Sequence, residues 1–193
     1  MTSPLPGTVF EGGFTDAPLD AATAFRAVLE ALSRPGTLAT LTGATPPAPL
    51  SQAAGVLALT LFDATTPVHL AGGHDTPALR DWLVFHTGAP LVGAEQAAFA
   101  VGSWDALQPV TRFAPGTPDY PDRAATLIIE MPELAAQGAL LRGPGIKETA
   151  RLSLPDIAAF QTNHARYPLG FDTFLTCGDR VAGLPRSTQV EAD

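Results

Sequence analysis

The sequence predicts an α/β fold with a mixed sheet. Three observations carry that prediction. Helical apolar periods alternate with short apolar runs through the first half of the chain. The last third holds paired strand-like runs around glycine turns. Proline and glycine mark the boundaries between these segments. Helix–strand alternation favours parallel strands and late hairpins favour antiparallel ones, so one sheet should hold both.

Residues 1–15 carry Pro4, Pro6, Gly7, Gly12 and Gly13 and read as a flexible lead-in; residues 16–193 read as a single domain without internal repeat or linker. Asp16-Ala17-Pro18-Leu19-Asp20 is a helix start with carboxylates where the helix dipole favours them. Phe25, Val28, Leu29 and Leu32 mark its apolar face, and Pro35 ends it. Thr37 to Thr42 alternates as a short strand. Ser51 is an N-cap for Gln52 to Phe62, which is apolar nearly all round and should be a buried helix. Val68 to Ala71 reads as a strand. Thr76-Pro77 caps a helix through Leu79, Trp82, Leu83 and His86, ended by Gly88.

Ala97 to Val101 is the next strand. Residues 102–124, with Pro109, Pro115, Gly116, Pro118 and Pro121, form a loop of the length that often serves function. Ala124 to Met131 and Gly138 to Arg142 read as two strands of one hairpin at a sheet edge. Leu154-Pro155-Asp156 opens a helix to about His164. Phe171 to Thr176 and Arg180 to Leu184 form a last hairpin around Cys177-Gly178-Asp179.

Composition excludes several function classes. The 193 residues carry 11 Lys plus Arg against 19 Asp plus Glu, a formal charge of −8. Nucleic-acid binding and anionic-membrane binding both need a basic surface. Met1 to Phe14 has no secretory pattern, and the longest apolar stretch, Ala53 to Phe62, falls short of the roughly 20 residues that span a bilayer. The expectation is a cytoplasmic protein. The one cysteine, Cys177, excludes an intrachain disulfide and a multi-cysteine zinc site.

Each candidate motif has a plain structural alternative. Arg142-Gly143-Pro144-Gly145-Ile146 could cradle a phosphate, but Pro144 has no N–H to donate and a tight turn after a strand is the favoured reading. His69 and His74 flank a Gly-Gly turn without metal-ligand spacing, with His74 expected to face solvent; His86 and His164 read as packed histidines at helix ends. Lys147, the one lysine, could form a Schiff base with pyridoxal phosphate, but stands beside Glu148 in an exposed connection. Asp63, Asp119 and Asp122 are read as solvated loop carboxylates rather than magnesium ligands. No metal or cofactor is expected, and no catalytic constellation emerges from the residues alone.

The C-terminal third carries an ordered pattern. Tyr167-Pro168-Leu169-Gly170-Phe171-Asp172 is followed by Leu175-Thr176-Cys177-Gly178-Asp179-Arg180, Leu184-Pro185-Arg186-Ser187-Thr188 and Val190-Glu191. Upstream come Phe25-Arg26 through Ser33-Arg34-Pro35-Gly36, then Asp63 to Val68, then Phe85-His86-Thr87-Gly88-Ala89-Pro90-Leu91. Ala124 to Ile128 and Gly143 to Ile146 follow in the same order. Together these segments resemble the PhnH family, a subunit of the bacterial carbon–phosphorus lyase core complex, over residues 17 to 191.

The resemblance implies a three-layer α/β/α sandwich similar to the large domain of pyridoxal-phosphate transferases, without the cofactor site. It implies a homodimer working beside PhnG, PhnI and PhnJ, with PhnL also required. That assembly makes α-D-ribose 1-alkylphosphonate 5-triphosphate from ATP and an alkylphosphonate, releasing adenine. PhnJ then cleaves the carbon–phosphorus bond on an iron–sulfur cluster. The family supplies no established catalytic residue. Arg34, His86, Arg142 and Arg186 are the candidates for a substrate-binding cleft, because each ends an element within a matching segment. Arg142 and Arg186 are preferred for an anion, since guanidinium forks fit phosphate or phosphonate oxygens. The alternative for Arg186 is an ion pair with Asp179 or Glu191. Two other functions compete: a stand-alone nucleotide or pyridoxal-phosphate enzyme, and a pure scaffold subunit.

Overall fold

A computed structural model of the chain describes residues 10–192. In chain order its elements are α1 (Ala17–Ser33), β1 (Ala39–Thr40), α2 (Gln52–Leu61), β2 (Val68–Leu70), α3 (Pro77–Thr87), β3 (Phe99–Ser103), β4 (Thr126–Glu130), β5 (Ala139–Arg142), β6 (Ala150–Leu152), α4 (Ile157–His164), β7 (Asp172–Cys177), β8 (Arg180–Leu184) and β9 (Gln189–Glu191), with short 3₁₀ turns between them. The main sheet runs β1-β8-β7-β4-β3-β2. Its β2, β3, β4 and β7 are mutually parallel, and β8 and β1 add antiparallel, so the sheet is mixed as the sequence predicts.

The strands alternate between two cores. Val68, Leu70, Val101, Ile128, Phe174 and Val181 face α1, α2 and α3. Ala100, Leu127, Ile129, Leu175 and Ala182 face the other side, where Phe160 of α4, Leu141 and Leu152 and the loop residues Leu107 and Phe113 cover them. The third layer is therefore one short helix plus a three-stranded sheet, ordered β6-β5-β9, rather than helices alone.

That small sheet corrects the expected hairpin of residues 124–131 with 138–142. β4 is flanked on both sides by parallel partners, β3 and β7, and has no free edge. β5 instead pairs antiparallel with β6 and β9, two three-residue strands. The burial patterns give the reason. Leu127, Ile128 and Ile129 are all buried, as in a strand covered on both faces. Ala139 to Arg142 alternates between buried and more open, as in a strand with one wet face.

The helices begin and end largely where their caps dictate. The Asp16, Ser51, Thr76 and Asp156 side chains each accept an N–H from the first turn that follows. Gly88 closes α3 in the left-handed conformation, at φ 69°. The strand expected over 37–42 shrinks to Ala39–Thr40.

The face of α1 is also a correction. Ala24, Val28 and Ala31 point into the core, while Phe25 is 49% and Leu29 53% exposed. The helix lies so close to β8 that a Cβ on Gly183 would sit 2.5 Å from the Leu32 Cα and 2.8 Å from the Ala31 carbonyl oxygen. Only small side chains fit at that contact, so the larger ones are rolled outward. From residue 10 the chain is held to the body by two bonds: the Trp82 indole N–H donates to the Glu11 carbonyl, and the Thr45 N–H to the Gly12 carbonyl. Residues 1–9 of the expected lead-in lie outside the described residues.

Candidate functional site

Parallel sheets commonly hold ligands at the carboxyl ends of their strands. Here that edge is built around Glu130, the last residue of β4. One carboxylate oxygen accepts the Ser51 N–H at 2.7 Å and the other accepts the Thr176 hydroxyl at 3.1 Å. Burial pushes the Glu130 carboxyl above the usual glutamate value, and these hydrogen bonds pull it back only in part. Ser51 is the N-cap of α2. Its hydroxyl takes the Ala54 N–H, and the Gly178 carbonyl takes the Ala53 N–H at 2.9 Å. The helix N-terminus that could cradle an anion is thus already filled by a carboxylate, a hydroxyl and a carbonyl of the chain itself. Sequence reasoning missed Glu130. Its signal was a lone carboxylate ending an otherwise apolar run.

Arg34, His86, Arg142 and Arg186 fall in three places. Arg34 caps α1 and pairs with Glu30 at 2.9 Å, both largely exposed. Arg142 ends β5 and faces Glu191 of β9 at 3.5 Å, again at the surface. The two flank the 143–146 turn. A Cβ on Gly145, at φ +82°, would meet the Ser33 carbonyl oxygen at 1.9 Å, so the turn presses on the end of α1. His86 lies elsewhere, on α3, with its ring 4.9 Å from both Trp82 and Phe85. Among the described residues its buried Nε2 has no partner.

Arg186 sits in a third region and is committed there. Its Nε donates to Asp172 Oδ1 at 3.0 Å and one terminal nitrogen to Oδ2 at 2.5 Å. The other terminal nitrogen donates to the Pro121 carbonyl at 2.7 Å. A carboxylate does take Arg186, but it is Asp172; Glu191 takes Arg142 instead. Tyr167, Pro168, Asp122 and Ser187 join this clasp around a cavity of about 270 Å³.

The remaining candidates are placed as follows. Lys147 is exposed in the connection after the 143–146 turn. Cys177 is half-buried, with its thiol 3.6 Å from the Pro132 carbonyl. The Thr65 and Thr66 hydrogen bonds hold the Asp63 carboxyl below its usual value. His74, expected in solvent, is buried, which lowers its pKa, and its Nε2 has no partner among the described residues. The turn after β2 is tucked under the loop that follows β3: a Cβ on Gly72 would meet the Ala106 Cβ at 2.7 Å. His164 Nδ1 lies 3.1 Å from the Arg186 carbonyl. Among the described residues no three His, Cys, Asp or Glu side chains converge as a metal site. No described helix is long and apolar enough to cross a membrane.

Residues 12–191 match the family described as bacterial phosphonate metabolism protein (PhnH). The chain belongs to the PhnH family. A PhnH relative from Rhizobium meliloti (strain 1021), named alpha-D-ribose 1-methylphosphonate 5-triphosphate synthase subunit PhnH, is 38% identical over 194 residues, covering 96% of this chain and 97% of its own. A Stutzerimonas stutzeri protein named putative C-P lyase subunit protein HtxG is 28% identical over 202 residues, covering 93% and 95%. The PhnH match spans both cores, the capped α2 and the Arg186–Asp172 clasp.

Proposed function

We propose that this chain is the PhnH subunit of a carbon–phosphorus lyase assembly in organic phosphonate catabolism. The observation that carries this is the 38% identity, along nearly the whole of both chains, to a protein named as a synthase subunit. In this reading it works with PhnG, PhnI and PhnL in moving the ribose triphosphate of ATP onto an alkylphosphonate with release of adenine. PhnJ is a further partner, a second copy of the chain pairs with it, and the complex is cytoplasmic. The sandwich is read as a relative of the pyridoxal-phosphate transferase large domain that has lost the cofactor site. Exposure of Lys147 supports that reading, since a Schiff-base lysine needs a desolvated pocket.

The geometry supports a supporting role over independent chemistry. The α2 N-terminus is filled by Glu130, and Arg186 spends all three nitrogens on protein acceptors. Apolar side chains also remain at the surface. Phe25 and Leu29 stand on α1, while Val84 and Phe85 stand on α3 with Phe10 against Phe85 at 4.5 Å. These favour a chain whose surface is partly covered by neighbours.

Co-expression of the tagged chain with candidate PhnG, PhnI and PhnJ subunits tests the reading. The expected result is a complex of defined mass containing all of them. A chain that elutes without them overturns it. Within the complex, Arg142→Glu separates a ligand role from a purely scaffolding one. Lost activity with intact assembly assigns a ligand to the Arg142 surface.

A further inference from the structure

A second cavity, also about 270 Å³, opens at the carboxyl end of edge strand β2. Its lining combines His69, Asp75 and Arg80 with the aliphatic Leu70, Leu91 and Val92. A Cβ on Gly93 would meet nothing within 4 Å, so that wall is open. The volume falls just under the roughly 300–1,000 Å³ that holds drug-sized ligands, so the occupant is small.

The polar groups are fixed in orientation. His69 Nδ1 lies 3.1 Å from the Val92 carbonyl oxygen. A carbonyl only accepts, so Nδ1 carries the proton, and in the neutral ring Nε2 is then the acceptor. The ring packs 5.9 Å from Phe113. Arg80 forms a two-pronged pair with Asp75, Nε to Oδ1 and Nη2 to Oδ2. The pair holds the Asp75 carboxyl below its usual value and sets the guanidinium plane. Among the described residues, Nη1 of Arg80 is left uncommitted.

We infer that this cavity is a binding site for a small tetrahedral oxyanion that still carries one proton, such as hydrogenphosphate or a hydrogen alkylphosphonate. The ligand's O–H donates to His69 Nε2, and an anionic oxygen accepts from Arg80 Nη1. The Asp75 carboxylate on the rim disfavours a fully ionised oxyanion that has no proton to donate. The aliphatic wall takes the substituent on the fourth position. The protonated oxyanion is read from the cavity, the alkyl substituent rests on the proposed role in phosphonate catabolism, and binding is tested on the chain alone.

The chain has four histidines, so its imidazole proton resonances can be assigned with single His→Gln variants. Inorganic phosphate, methylphosphonate and sulfate are titrated at constant pH and ionic strength. The expected result is a saturable shift of the His69 ring protons with phosphate and methylphosphonate. Tighter methylphosphonate binding assigns a carbon-substituted source, and tighter phosphate binding a free-phosphate one. Buried His74 stays still in both. Arg80→Gln, at a half-exposed position, should weaken binding about tenfold or more. Absence of a saturable His69 shift, an equal response to sulfate, or unchanged affinity in Arg80→Gln overturns the assignment.

Discussion

Glu130 holds its carboxylate where burial disfavours the charge and two donors still require its oxygens. Because its native pKa is raised, the folded state binds the proton more tightly than the unfolded state does. Its contribution to stability is therefore present at low pH and is lost as pH rises through the raised value. Glu130→Gln keeps an acceptor for the Ser51 N–H and removes the charge. Denaturant titrations across pH 5 to 8 should show this variant gaining on the parent as pH rises. Glu130→Ala strands the Ser51 N–H and should cost about 1–3 kcal/mol in the same titrations. Arg186 follows the opposite logic. Its fork matches Asp172 in two places and the Pro121 carbonyl in a third. Arg186→Lys keeps the charge but not the fork, and urea unfolding should register a loss of about 1.5–3 kcal/mol.

At the level of elements, α1 offers the sharpest test. Val28→Ala removes buried methyls and should cost about 1–2 kcal/mol, whereas Leu29→Ser, one residue on, should change stability by less than about 0.5 kcal/mol. The periodicity of Phe25, Val28, Leu29 and Leu32 suggests the reverse for Leu29. Gly183→Ala places a methyl against the Leu32 backbone, and thermal denaturation should show a loss of about 1–3 kcal/mol. This contact explains what was legible in the sequence and what was not. Caps are local, so Ser51, Thr76 and Asp156 announce α2, α3 and α4 correctly. The continuous apolar run of β4 announces a strand. Its neighbours depend on which edges are free, and β6 and β9 are three residues each, too short for alternation to declare them. The roll of α1 depends on a glycine some 150 residues away. At the candidate site, the arginines were legible as element ends; Arg34 meets Glu30 one helical turn back, but the carboxylate partners of Arg142 and Arg186 were set by the fold. Arg186 meets Asp172 because β7 and β8 form a hairpin, and no spacing rule singles out that aspartate.

For the molecule as a whole, the main sheet contributes alternate side chains to both cores, so neither should melt without the other. The two tryptophans report on opposite sides. Trp82 is buried under α3, and Trp104 stacks on Phe160 of α4 at 5.5 Å. In Trp82→Phe and Trp104→Phe variants the remaining fluorophore should trace the same urea transition, coincident with circular dichroism. Separate midpoints would divide the chain into two folding units. The long 102–124 connection belongs to this accounting. Its Pro115 carbonyl accepts the Gly170 N–H, its Pro121 carbonyl accepts Arg186, and its Ala114 carbonyl accepts the Ala125 N–H. Those bonds tie the part of it that follows the end of β3 at Ser103 to β4 and to the β7–β8 hairpin. Amide protons that these bonds shield, such as those of Ala125 and Gly170, should therefore exchange with deuterium only as slowly as the sheet itself opens, and proteases should find the connection no easier to cut than the strands it is fastened to.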